Sequence, residues 1–205
     1  MKSSSPAFGG REPSLLVILS GPSGVGKDAI LARMKELGLP FHYVVTVTTR
    51  PQRYGEIEGQ DYYFVSLPEF MGLKDGSKLL EWAKVYGNYY GVPRDQVRNA
   101  LEQGQDVITK LDIQGASTLK RLVPQAIGIF LAPPSMEELR KRLSERKTEK
   151  SRDFELRMTR AQEEMQALPI FEYVVVNDEL DRAVAHIQAI ITAEKCRVVP
   201  RQAEL

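Results

Sequence analysis

Residues 14–20, SLLVILS, form an unbroken apolar run that stops at the glycine-rich turn GPSGVG and passes straight into KDAILARMKELG, whose apolar residues recur near helical spacing before a terminating glycine. The pattern is strand, turn, helix. An apolar run with no polar alternation belongs to a strand covered on both faces, the environment of a parallel sheet. Further strands are predicted at HYVVTVTT (42–49), DVITKLDI (106–113), IGIFLA (127–132) and EYVVVND (172–178), most of them with helical stretches before or after. Strands alternating with helices in this way define an α/β fold: a parallel sheet core flanked by helices.

The turn carries chemistry of its own. G-x-x-x-x-G-K runs from Gly21 to Lys27, but Asp28 stands where the pattern calls for a serine or threonine hydroxyl. Glycines at 21, 24 and 26 let successive backbone N–H groups turn inward, and the following helix adds its positive N-terminus, so Gly21, Pro22, Ser23, Gly24, Val25, Gly26, Lys27 and Asp28 are candidate phosphate-binding residues. Lys27 supplies a point charge to the β- and γ-phosphates of a nucleotide. Two readings of Asp28 stand side by side. As an acid in the first turn of a helix it contributes ~0.3–1 kcal/mol and does nothing else. As a hard oxygen donor it takes the place of the missing hydroxyl on Mg²⁺.

The 28 Lys and Arg residues nearly balance the 27 Asp and Glu residues, so affinity for nucleic acid or an anionic membrane cannot come from overall charge, and phosphate must be bound locally. The single cysteine, Cys196, excludes an internal disulfide and fits a reducing compartment, no apolar run is long enough to span a bilayer, and a cytoplasmic location is expected. Residues 1–13 and 199–205 read as tails around one domain, 14–198, and the first of them lacks the features of a secretory or transit segment. Two stretches break the strand–helix alternation. Residues 46–93 are rich in Tyr, Gly and charge and suit a small mixed β-rich insert. Residues 134–168 are helical in composition, with both signs of charge, and suit a solvated helix pair.

The blocks SGPSGVGK, TTRPQRYGEIEGQDYYF, EWAKVYGNYYG, LDIQGA, APPSMEELRKRL and VVVNDELDRA, in that order over residues 14–195, resemble the guanylate kinase family. The resemblance implies a P-loop NTPase-type core, a GMP-binding insert, a helical lid over ATP, and Mg²⁺-dependent phosphorylation of GMP, and of dGMP, within purine nucleotide metabolism. It assigns Arg50, Arg53, Tyr62 and Tyr90 to the GMP phosphate; guanidinium forks and phenol hydroxyls suit a dianion. It assigns Thr46, Glu81 and Asp112 to guanine. A carboxylate accepts from both N1–H and N2–H₂ of guanine, whereas adenine presents an acceptor there and is repelled. Arg142, Arg146 and Arg157 fall where the family places lid arginines on the transferring phosphate, and Asn177 falls beside the adenine ring.

Two departures from the family pattern stand out. Val92 replaces a usual serine or threonine, removing one hydrogen bond worth about 0.5–1.5 kcal/mol. Lys110 occupies a position that is often acidic in the family, two residues before Asp112, and strand alternation puts the two on the same face toward the strand's C-terminal end, where ligands of open α/β sheets bind. Either Asp28 faces the metal with Lys110 as its charge partner or on a phosphate, or the two changes are independent. The rival functions are a related kinase acting on a ribose bisphosphate and a silent guanylate-kinase-like binding module, which usually lacks the loop residues retained here. The expected partners are ATP and GMP, with no nucleic acid and no membrane.

Overall fold

The computed structural model describes residues 14–145, 151–201 and 203. Strand β1 (Leu16–Ser20) is wholly buried because its two faces feed two different cores. Leu15, Val17 and Leu19 pack with helix α1 (Lys27–Glu36) through Ile30, Leu31 and Met34, and with helix α7 (Leu180–Lys195) through Val184, Ile187 and Ile191. Leu16 and Ile18 pack on the other side with α3 (Arg94–Glu102) through Val97 and Ala100, and with α4 (Ile113–Leu122) through Ala116 and Leu119. This is why the run needs no polar alternation.

Around β1 lies a five-stranded parallel sheet in the order β2-β7-β1-β8-β9, with β2 at Phe41–Tyr43, β7 at Asp106–Lys110, β8 at Ile127–Ala132 and β9 at Tyr173–Val176. A second, mixed sheet has the order β4-β3-β6-β5: β4 (Tyr62–Phe64) pairs parallel to β3 (Thr46–Thr48), which pairs antiparallel to β6 (Asn88–Pro93), which in turn pairs antiparallel to β5 (Leu79–Val85). Helix α2 (Leu67–Asp75) covers it, with Phe70 packed against Val47 and Leu79. Two helices, α5 (Met136–Glu145) and α6 (Ser151–Met165), carry a small core of their own: Leu139, Leu143, Met158 and Ala161. None of the described helices is long and apolar enough to cross a membrane.

Two sequence expectations need correction. The run 42–49 is not one strand. It divides into β2 and β3, which belong to different sheets, because the Gln96 side chain takes the place of a neighbouring strand at the junction: its Oε1 accepts from Val45 N–H and its Nε2 donates to Val45 C=O, both at 3.1 Å. The run 106–113 ends as a strand at Lys110. Asp112 instead caps α4, its carboxylate accepting from Gly115 N–H at 3.0 Å. Val92 lies opposite Glu81 in the β5–β6 pair and is fully buried in the core that also holds Leu16 and Ile18.

Candidate active site

The C-terminal ends of β1 and β7 open into a cleft whose far wall is the mixed sheet and whose rim is α6, a location where open parallel sheets bind ligands. The glycine-rich turn forms one side. Gly26 caps α1 at φ 104°, and a side chain there would meet the Asn177 amide at 2.5 Å, so only glycine fits both the conformation and the contact. Lys27 donates from Nζ to the carbonyls of Gly21 (2.6 Å) and Pro22 (3.2 Å), and burial lowers its pKa. Asn177, itself buried, donates to the Val25 carbonyl at 2.8 Å. Arg142 bonds Glu138 at 3.0 Å and reaches the same Val25 carbonyl at 3.4 Å. Both hold the turn through the Val25 carbonyl, and neither lines this cleft.

Lys27, Asp28, Thr46, Arg53, Tyr62, Glu81, Tyr90, Lys110, Asp112 and Arg157 all line this one cleft, together with Gly21 and Ser23 of the turn. Arg50 stands one layer back. Its guanidinium is bidentate on Glu56 (2.7 and 3.0 Å) and lies 5.2 Å from the centre of the Tyr62 ring, which meets Tyr90 edge-on. Arg157 lies over the ring of Tyr86 at the tip of the β5–β6 hairpin. Arg146 lies outside the described residues.

At the deep end, the buried Thr46 Oγ1 and Glu81 Oε2 have no hydrogen-bond partner among the described residues. Tyr86 Oη, elsewhere in the cleft lining, is a third; buried polar atoms are nearly always satisfied, so orphans gathered in one cleft mark a place for ligand donors and acceptors. Burial, reinforced by Asp112, pushes the Glu81 carboxyl up to about 8. Gly115 permits this approach, since a Cβ there would stand 2.9 Å from Glu81 Oε2 and 3.1 Å from Asp112 Oδ1.

Asp28 follows Lys27 in the first turn of α1, and its Oδ1 accepts from Lys110 Nζ at 2.5 Å. Among the described residues no group of three or more His, Cys, Asp and Glu side chains could hold a metal ion. A single carboxylate beside a phosphate-binding turn fits an ion of the magnesium kind, which takes one or two protein carboxylates and completes its shell with substrate phosphate and water.

Three features escaped sequence reasoning. Glu164 of α6 accepts from the Ser23 N–H at 3.1 Å, and burial raises its pKa. Nothing in a helix rich in both charge signs distinguishes it. Tyr86, at φ 48°, joins the tip of the β5–β6 hairpin to α6 through Arg157 and Arg160. Helix α2 starts at the capping box Ser66–Glu69, a readable S-x-x-E signal inside a segment taken as β-rich.

The guanylate kinase family profile matches residues 14–194. Over 188 residues the chain is 45% identical to a guanylate kinase of Caldanaerobacter subterraneus subsp. tengcongensis, covering 92% of this chain and 91% of that one. It is 46% identical over 202 residues to guanylate kinase 2, chloroplastic/mitochondrial, of Oryza sativa subsp. japonica, covering 97% and 70% of the two chains. The crystal structure of guanylate kinase from Anaplasma phagocytophilum superimposes with a TM-score of 0.76 at 32% identity, covering 91% of this chain and 89% of that one. With a phosphate-binding turn and a buried acid meeting in one cleft, and with relatives this similar over nearly the whole of this chain, the chain belongs to the guanylate kinase family.

Proposed function

We propose that this protein transfers the γ-phosphoryl group of ATP to a phosphate oxygen of GMP, giving ADP and GDP. The observation that carries the reading is the pair of unpartnered buried atoms, Thr46 Oγ1 and Glu81 Oε2, at the end of a cleft whose other end is the phosphate-binding turn. A base seated on Glu81 leaves its phosphate toward Tyr62, Tyr90 and Arg53, facing the turn.

In this assignment the N–H groups of the turn and Lys27 hold the triphosphate of ATP, while Asn177 and Arg142 keep the turn in shape through the Val25 carbonyl. Arg53, Tyr62 and Tyr90 hold the GMP phosphate, with Arg50 supporting Tyr62. Glu81 and Thr46 hold guanine, and Asp112 supports Glu81. Arg157 and Arg146 stabilise the transferring group. Asp28 is the residue that would hold Mg²⁺, which when bound adds positive charge against the phosphate oxygens. The acceptor is already anionic near neutral pH, because a phosphate monoester loses its second proton near ~6, so the chain need supply no general base. His42 and His186 have no part in the reaction. Catalysis consists of alignment and charge neutralisation. We place the activity in the cytoplasm from the single, exposed, unpaired Cys196.

ADP release measured with GMP, AMP, CMP and UMP tests the assignment, with turnover expected for GMP alone. Lys27→Ala loses most of kcat. Glu81→Gln weakens GMP and narrows the preference for GMP over AMP; unchanged discrimination in that variant would remove Glu81 from base selection.

A further inference from the structure

The side chain of Lys110 is only 14% exposed, at the C-terminal end of β7, where β7 pairs with β1 at Leu19. Its ammonium touches both halves of the cleft. On one side Nζ donates to Asp28 Oδ1 at 2.5 Å, in the first turn after the phosphate-binding turn. On the other it stands 4.4 Å from the centre of the Tyr62 ring. Arg50 lies 5.2 Å from the same ring, so Lys110 extends the cationic cluster of the acceptor half toward the donor half.

The position of this lysine argues that it has a ligand. Lys27 and Lys110 line the same cleft. Arg53 and Arg157 line the cleft as well. Asp28, 65% exposed, is the carboxylate bonded to Lys110, and Asp112 and Glu164 line the cleft on the opposite side of the charge balance. What singles out Lys110 is its place: a largely buried ammonium between the first turn of α1 and Tyr62, where the two halves of the cleft meet. A phosphate between Tyr62 and the turn would lie within reach of that ammonium.

We propose that Lys110 is a catalytic residue of this site, a cation that Asp28 and Tyr62 hold in place to contact the phosphate of the acceptor nucleotide where it meets the donor. The assignment rests on the GMP kinase reading above. It makes Asp28 the positioning residue for Lys110, and it leaves Asp28 able to share its carboxylate with magnesium.

The test compares GMP with guanosine, which lacks the phosphate, by calorimetry without ATP or metal, alongside kcat with both substrates. Lys110→Met is expected to weaken GMP roughly tenfold while leaving guanosine unchanged, and to lower kcat on the order of 100-fold, the usual effect of removing one charge-stabilising donor. Lys110→Arg, which keeps the charge, is expected to restore much of both. Asp28→Asn in the wild-type background lowers kcat, whereas in the Lys110→Met background it adds less than about twofold, because anchor and cation act as one unit. Equal weakening of GMP and guanosine, or strictly additive losses, would overturn the proposal. If Lys110→Met fails to melt cooperatively, Lys110→Gln, which keeps donors toward Asp28 and Tyr62, decides by the same comparison. Wild-type protein with no turnover of GMP would sink the kinase reading itself, whereas wild-type turnover matched by Lys110→Met sinks only the role of Lys110.

Discussion

At the scale of single residues, Glu81 poses the sharpest chemical condition. Its carboxyl is held protonated up to about 8 by burial and by Asp112. Yet only the ionised form can accept from both N1–H and N2–H₂ of guanine, since a neutral carboxyl keeps a donor on one oxygen. Base binding must therefore expel a proton below that pH. The affinity for guanosine is expected to rise by up to tenfold per pH unit from pH 6 and to level off above about 8; guanosine is the probe because GMP itself titrates near ~6. Calorimetry in two buffers of different ionisation heat reads the proton directly, and a flat pH profile would refute the linkage. Folding follows the same sign: the folded protein binds this proton more tightly than the unfolded chain, so the contribution of Glu81 to stability is full below about 4.5 and is lost as pH rises to about 8. That Glu81 is acidic and beside a tyrosine-rich stretch is legible in the sequence. That it is protonated is not, because the cause is burial against Gly115 and Asp112, both distant in the chain.

Among the elements, α6 makes a contact with a direct consequence for the donor nucleotide. Glu164 occupies the Ser23 N–H, which the proposed assignment gives to a phosphate of ATP, and its charge acts on Lys27. ATP must displace it. Glu164→Gln, which keeps the shape and removes the negative charge, is expected to tighten ATP binding by roughly threefold to tenfold, equivalent to ~1 kcal/mol, as measured by titration calorimetry. An unchanged or weaker affinity would mean that the carboxylate does not compete with the nucleotide. The turn that receives the phosphate was readable at once, since glycine spacing, the preceding apolar run and the following helix are all local. The helix pair was readable as helical, but a helix rich in charge does not disclose which carboxylate is turned inward. The division of 42–49 into β2 and β3 was hidden for a similar reason: β propensity continues through Val44 and Val45, and the interruption comes from Gln96, 51 residues away.

For the whole molecule, the two sheets share one core. Leu80 and Val92 of the mixed sheet pack in the cluster that holds Leu16 and Ile18 of the parallel sheet. The wall that carries Glu81 is thereby joined to the wall that carries Lys27, and the two are expected to unfold together. Leu80→Ala removes buried volume at this junction at a cost of about 2–5 kcal/mol, which for a domain of this size lowers Tm by roughly 5–15 °C. The only tryptophan, Trp82, lies on β5, so its fluorescence follows the mixed sheet while far-UV circular dichroism follows the whole chain. The two melting curves are expected to coincide in wild type and variant; a tryptophan signal lost at clearly lower temperature would show that the sheets are separate cooperative units.

The sequence by itself determined the α/β class, the phosphate-binding turn and the residue types brought to it, because apolar runs, glycine spacing and charge placement act within a few residues of one another. Only the tertiary structure decided that Asp112 is a helix cap, that Asn177 and Arg142 hold the turn through the Val25 carbonyl, that Glu164 lies on it, and that Lys110 joins Asp28 to Tyr62. Those contacts depend on burial and on distances between segments far apart in the chain, and the charge of a side chain does not reveal which opposite charge it will meet.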